Sequence, residues 1–283
     1  MSTAYAPATS PIATLVDLAA PTMDLEALAP ISLDDLVTSA SRLTRVDRKY
    51  VVPRRLLPTL LQATAGRAKV LDIDGVRDFA YRTVYLDTLD VQCFRAAGQK
   101  RRRRAKIRTR SYLDSGATFL EVKTRGPRGT TVKERIEHPD VEEAGLTAAG
   151  AAFIADRLAA AQIDTLDVAS LVPMLSTTYH RSTLALGPDR VTIDTVPGWT
   201  ALGPARGDLD RPGLAIVETK AGATPTLVDH ALWRLGHRPI RISKYGSGLA
   251  AVRPELPHLK WHRVINQHLR PHSSATIHEG HHS

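Results

Sequence analysis

Residues 105–125 read AKIRTRSYLDSGATFLEVKTR, and the spacing of charge in this stretch decides the fold. Lys106, Arg108 and Arg110 alternate with Ile107 and Thr109, and Glu121, Lys123 and Arg125 alternate with Val122 and Thr124. Side chains two apart on a strand share a face. Each half is therefore a strand with charge on one side and apolar or small residues on the other. Asp114–Gly116 form a turn between them, which sets the two cationic rows side by side in a hairpin. Like charges on paired strands repel, so the arrangement makes sense if a polyanion lies across it.

The same signature recurs outward along the chain. Asp47 lies between Arg45 and Lys49 in RLTRVDRKYVV, Lys133 and Arg135 alternate in TVKERIE, and Glu218 and Lys220 in AIVETKAG. Strand patterns also cover KVLDIDG (69–75), DFAYRTVYLDT (78–88), MLSTTYHRSTLAL (174–186) and DRVTIDTVPGW (189–199). Helical patterns occupy 32–42 behind a Ser32 cap, 53–66 behind Pro53, about 142–162, and 226–236. DVQCFRAAGQ (90–99) reads as a helix or a loop, and PIRISKYGSGLAAV (239–252) as an extended segment running into a helical turn. The expected class is α+β: about eight antiparallel strands, polar on one face, closed into a barrel with a wet interior and flanked by helices.

The chain has 283 residues and a formal charge of +9, distributed unevenly. Residues 1–40 hold no Lys or Arg but five carboxylates, which leaves an excess of 14 positive charges on the rest. That excess calls for a polyanionic ligand, nucleic acid or an acidic surface. One cysteine, Cys93, excludes an internal disulfide and a multi-cysteine zinc site, and its expected role is packing. No apolar run approaches the ~20 residues that span a bilayer, and no signal peptide starts the chain. The expected location is the cytoplasm. Residues 1–31, rich in Ala, Pro, Ser and Thr, read as a disordered segment, 32–254 as the folded domain and 255–283 as a flexible His-rich tail. Arg101–Arg104 read as a solvated lip, since successive residues face opposite ways and cannot all serve one interior.

In order and content these segments resemble the polyphosphate-polymerase (vacuolar transporter chaperone, VTC) domain of the triphosphate tunnel metalloenzymes, the group that includes the CYTH proteins. The resemblance runs through RVDRKYVV, YRTVYLDT, KIRTRSYLD, FLEVKTR, YHRSTLAL, RVTIDT, AIVETK and RISKYGSGL, roughly residues 41–250. It implies a cation-lined tunnel that binds a triphosphate or a phosphate chain, with Mg²⁺ or Mn²⁺ held by a glutamate. Carried over by motif, the catalytic cations are Lys49, Arg108, Arg110, Lys123, Arg181 and Lys244. Arg241, Tyr179, Ser243 and Lys220 contact phosphate, and Glu218 holds the metal. Glu121, Glu134 and then Asp194 are the further metal candidates.

Two positions depart from the family. Arg241 stands where a lysine is frequent, which keeps the charge but changes the donor geometry. One carboxylate, Asp47, stands where the hydrolytic CYTH branch has two alternating glutamates, which favours the polymerase-like branch. The expected activity is metal-dependent phosphoryl transfer, foremost polyphosphate synthesis from ATP. Hydrolysis of a triphosphate, or non-catalytic binding of polyphosphate, inositol phosphate or nucleic acid, are the alternatives. The expected partners are ATP and polyphosphate, with no specific nucleic acid; a membrane partner stays open.

Overall fold

Alternation at period two accounts for most of the backbone. In the computed structural model, residues 23–39, 46–126, 130–203 and 207–270 are described. The strands are β1 (Ala29–Ile31), β2 (Val46–Pro53), β3 (Lys69–Leu71), β4 (Phe79–Asp87), β5 (Ala105–Tyr112), β6 (Thr118–Arg125), β7 (Thr131–Glu137), β8 (Val172–Leu186), β9 (Asp189–Ala201), β10 (Asp208–Asp210) and β11 (Leu214–Ala221). The helices are α1 (Leu33–Ser39), α2 (Leu57–Gln62), α3 (Gln92–Gly98), α4 (Val141–Ala144), α5 (Ala148–Ala160), α6 (Leu227–Arg234), α7 (Lys244–Val252) and α8 (His262–Val264). The α+β class and the antiparallel pairing are as the alternation implies; only β1 and β3 run parallel.

All eleven strands of the described residues belong to one sheet, ordered β2-β11-β9-β8-β4-β5-β6-β7, with β3 joined to β8, β1 to β3 and β10 to β9. The sheet is open, which corrects the expected closed barrel of about eight strands: among the described residues β2 and β7 do not pair. The free edge of β2 is met instead by the segment after α6, whose Ile240 N–H donates to the Lys49 carbonyl at 2.8 Å. A closing strand would need that acceptor.

The curved sheet has two chemically different faces. Its convex face carries Ile107, Leu120 and Val122, buried in one core with Ile154 and Leu158 of α5. Tyr50, Val52, Val191 and Val217 form a second core with Leu57 and Leu60 of α2 and Leu232 of α6. The concave face is polar along its middle, and α7 sits against one end of it. There Tyr245 stacks on Tyr85 with centroids 4.9 Å apart, and Trp199 Nε1 donates to the Lys244 carbonyl at 2.9 Å. Asp87 ties this end together. It accepts the backbone N–H of Cys93 and Phe94 at the start of α3 at 2.8 and 2.9 Å, and the Tyr245 hydroxyl at 2.5 Å. Buried Cys93 packs here, and burial followed by the charge of Asp87 pushes its thiol well above the ordinary value.

Order extends past both boundaries read from the sequence. Arg77 anchors the chain before β1 through the carbonyls of Leu25 and Leu28 and an ion pair to Glu26 at 3.2 Å. Residues 23–31 are thus part of the fold and not of a disordered segment. At the other end Trp261, Val264, Ile265 and Leu269 are buried in the main core, so the folded domain continues to about residue 269. Composition concealed both, because short apolar runs among Pro, Ala and His carry little periodicity. Residues 1–22 and 271–283, with His272, His278, His281 and His282, lie outside the described residues.

Gly248 is a point of close approach between α7 and β9, where an added Cβ would collide with the Trp199 indole. Gly248→Ala should cost about 1–3 kcal/mol of stability, read from urea unfolding. It should also weaken anion binding, because α7 carries Lys244.

Candidate functional site

The polar rows of the concave face converge on one cavity of about 930 Å³. From β5 come Lys106, Arg108 and Arg110; from β6 and β7, Glu121, Lys123, Lys133 and Arg135; from β2, Asp47 and Lys49. Opposite them β8, β9 and β11 supply Arg181, Arg190, Glu218 and Lys220, and α7 adds Lys244 with its cap residue Ser243. In all, eleven lysines and arginines face five carboxylates. Strand register sets the pattern. Lys106, Lys123 and Lys133 lie directly opposite one another across β5, β6 and β7, and the next rung reads Arg108, Glu121, Arg135.

Three carboxylates each sit between two cations. Glu121 accepts from Arg108 Nε and Nη2 at 2.7 and 2.6 Å and pairs with Lys133 at 2.5 Å. Asp194, buried behind the cavity wall, accepts from Arg181 Nε and Nη2 at 2.5 and 2.8 Å and is also bonded by Lys244. Glu218 lies farther from its neighbours, 3.5 Å from Lys49 and 3.8 Å from Lys220. Burial opposes ionisation of Glu121 and Glu218, but the surrounding cations outweigh it and hold both at about 2.

Three of the other cations are under-compensated. Lys106, Arg110 and Lys123 have no carboxylate oxygen within 4 Å among the described residues. Lys106 donates only to Ser243 Oγ at 3.2 Å, and the buried Nε of Arg110 has no acceptor. Burial, and then the charges of Arg108, Lys49, Lys123 and Lys260, push Lys106 well below the ordinary lysine value. Lys123 moves the same way through burial, Lys49 and Arg108. Burial also brings Lys220 down to about 8, against the pull of Glu218. Tyr179 shows the same field from an acid's side: burial would raise its phenol, but Arg110, Arg181 and Lys244 bring it to about 8.

A second chamber of about 770 Å³ adjoins the first and shares Lys49, Lys106, Lys123 and Ser243 with it. Nine cations and one carboxylate, Asp47, line it, with Lys100, Arg104, Arg125, Arg241 and Lys260 on its far side. Burial and the charges of Arg104, Lys100, Arg241 and Arg125 lower Lys260 to about 8.

The structure thus brings Lys49, Arg108, Arg110, Lys123, Arg181, Lys220, Lys244, Ser243 and Glu218 to one cavity and places Arg241 in the adjoining chamber. Tyr179 is buried behind the wall, with Lys244 Nζ 4.1 Å from its ring centroid. Glu134 is on the convex face, bonded to Arg157 of α5, and is no metal candidate. Arg101, Arg102 and Arg103 are exposed, whereas Arg104 reaches the second chamber. Arg45 lies outside the described residues. Lys106, Lys133, Arg135 and Arg190 were not among the expected site residues. The signal for the first three was the alternation itself, and Arg190, Thr192 and Asp194 alternate likewise with Val191 and Ile193.

Among the described residues no three His, Cys, Asp or Glu side chains cluster to hold a metal, and no helix is long and apolar enough to cross a membrane. The family model described as VTC domain matches residues 44–253. Solved structures that align include a protein of Bacillus halodurans provisionally named an adenylate cyclase, at 16% identity over 71% of this chain and 95% of that one, with a TM-score of 0.43. Another is HpAC1 of Hippeastrum, provisionally an adenylyl cyclase and described as having a dominant triphosphatase activity. It aligns at 14% identity over 77% of this chain and 99% of that one, with a TM-score of 0.41. No curated protein matches the chain.

A polyanion in the cavity stabilises protonated lysine, so binding should take up protons where free Lys220 is neutral, from about pH 8 towards its ordinary 10.5. Tyr179, an anion above about 8 in the free protein, acts in the same direction. Affinity for tripolyphosphate should therefore fall as pH rises through 8. Calorimetry at pH 8.5 in two buffers of different ionisation enthalpy should show net proton uptake, reduced in Lys220→Met. Binding without uptake would contradict this electrostatic picture.

Proposed function

The chain belongs to the VTC domain family, and we propose that it binds the phosphates of ATP and of polyphosphate in the cavity and joins the terminal phosphoryl group to a growing phosphate chain. The observation that carries this reading is the cation row left without carboxylates, Lys106, Arg110 and Lys123, beside a second chamber with nine cations and one carboxylate. Several phosphates in line would neutralise such a surface. Arg108 and Arg181, held by Glu121 and Asp194, present guanidinium groups whose remaining donors suit phosphate oxygens. The lysines act as compact charges between them.

Phosphoryl transfer depends on positioning and charge neutralisation more than on covalent catalysis, and these residues supply both. The donor set fits a divalent cation that arrives with its phosphates. Mg²⁺ and Mn²⁺ at phosphoryl-transfer sites take one or two carboxylates and complete their shell with phosphate and water. Of the three carboxylates between cations, Glu121 and Asp194 are each held in short contacts to two cations, Glu121 by Arg108 and Lys133 and Asp194 by Arg181 and Lys244. Glu218, whose nearest cations stand at 3.5 and 3.8 Å, has oxygens to offer. Glu218 would hold such a cation at the cavity wall, where it would supply Lewis-acid stabilisation of the charge on the transferring phosphoryl group.

Incubation with ATP and Mn²⁺, followed by ³¹P NMR, tests the proposal. A growing internal-phosphate resonance with release of ADP is the expected result. Free phosphate or pyrophosphate alone would make the protein a hydrolase, and binding with an unchanged spectrum would make it a non-catalytic module. Glu218→Gln should abolish Mn²⁺-dependent turnover with the fold intact; retained activity would move the metal role to Glu121. Arg108→Ala combined with Lys123→Ala should weaken tripolyphosphate binding by roughly 100-fold or more. Duplex DNA, ~20 Å wide, meets only the outer arginines, so any DNA binding should survive that double substitution and vanish with salt. Loss of DNA with tripolyphosphate retained would make a nucleic-acid module the better account.

A further inference from the structure

Aromatic side chains are scarce in this chain, with 3 Trp, 7 Tyr and 4 Phe, yet four of the rings form one row across the sheet. Strand register makes the row: Tyr179 of β8, Tyr81 of β4 and Tyr112 of β5 are direct cross-strand neighbours. Tyr81 is stacked on Tyr179 with centroids 5.3 Å apart and planes 4° from parallel, and its ring lies 5.0 Å from that of Tyr112. Phe119 of β6 meets Tyr112 edge-on at 5.9 Å. Cations of the cavity lie over three of the four rings. Lys244 Nζ and Arg181 Cζ stand 4.1 and 5.2 Å from the centroid of Tyr179. Arg181 and Arg110 Cζ stand 5.5 and 5.7 Å from that of Tyr81, and Arg135 Cζ 4.4 Å from that of Phe119.

We propose that Tyr81 is a positioning residue of the phosphate site: its ring holds Arg110 and Arg181 at the cavity wall and leaves their charge for the ligand. The proposal rests on reading the cavity as a phosphate site. A carboxylate fixes a cation but cancels its charge, as Glu121 does for Arg108. An aromatic face attracts a cation through its quadrupole and carries no net charge of its own. Arg110 shows the difference. Among the described residues it has no carboxylate partner and its buried Nε has no acceptor, but it lies over Tyr81. Arg181 uses both supports, Asp194 on two of its nitrogens and the two stacked rings. Register explains why one ring serves both arginines. On β4, Phe79 is opposite Arg181 and Thr83 is opposite Arg110. Tyr81 is the residue midway between them, so its ring sets the spacing of the two guanidinium groups. Burial, outweighing the charge of Arg181, raises its phenol to about 12, so at neutral pH the ring is uncharged. Arginines aimed in advance bind a polyanion without being ordered by it.

Calorimetry of tripolyphosphate in metal-free buffer at neutral pH tests this on the full chain. Tyr81→Phe keeps the ring and should stay within about twofold of the unsubstituted protein, while Tyr81→Leu should bind roughly tenfold more weakly. The decisive series places at position 81 phenylalanine carrying one, two and three ring fluorines. Fluorine withdraws electrons from the ring face with little change of volume, so packing is kept while the hold on a cation fades. Affinity should fall stepwise, to about a tenth at three fluorines, with the thermal midpoint unchanged. An affinity independent of fluorine number would show that the ring only fills space, and overturns the proposal. A rise overturns it too, since an anion touching the ring directly would gain from fluorination. Equal losses in Tyr81→Phe and Tyr81→Leu would assign the role to the hydroxyl instead. If the unsubstituted chain does not bind tripolyphosphate, the phosphate-site reading itself fails.

Discussion

Repulsion among the cations crowded on the concave face is the constraint to which the rest of this structure answers. Two unit charges ~6 Å apart repel by roughly 3 kcal/mol at an effective dielectric of 20, and a domain's whole stability is about 5–15 kcal/mol. A ladder of Lys106, Lys123 and Lys133 across three strands, with Lys49 and Lys244 nearby, is therefore costly on the scale of the fold. Two responses are visible. Glu121, Asp194 and Glu218 are each placed between two cations, and the lysines with no carboxylate partner are shifted towards neutrality.

The convex face makes that cost tolerable. Helices α2, α5 and α6 bury the other side of the same strands, so Ile107, Leu120 and Val217 hold in place the strands that carry Arg108, Glu121 and Glu218. At one end α7 presses Leu249 and Tyr245 into the core and is fixed by Asp87 and Trp199. Lys244 is thereby held at the cavity wall by packing that is independent of its charge. A cage preformed in this way binds a polyanion without first ordering its own side chains, which keeps the entropic cost of binding low.

Within that cage the carboxylates differ in use. Asp194 and Glu121 have short bonds to guanidinium groups and serve to aim Arg181 and Arg108. Glu218, the most loosely held, keeps coordination capacity. The ring of Tyr81 is their uncharged counterpart, a support for Arg110 and Arg181 that leaves the charge of both in place.

The alternation of charge in 105–125, 131–137 and 215–222 was enough to establish antiparallel strands with a cationic face, because period two is a local property of the backbone. It marked Lys106, Lys133 and Arg135 as facing the same way as Arg108, Glu121 and Lys123. It could not say which rows meet, since that depends on strand order and curvature. Only the tertiary structure separated Arg241 from the main cavity, put Glu134 under α5 and left the sheet open with Ile240 on the edge of β2. It also drew residues 23–31 and 256–269 into the fold, where their few apolar side chains gain burial from distant partners that no local pattern records. The aromatic row was hidden for the same reason: Tyr81, Tyr112 and Tyr179 are far apart in the chain, and they become neighbours only through the strand order β8-β4-β5 and its register.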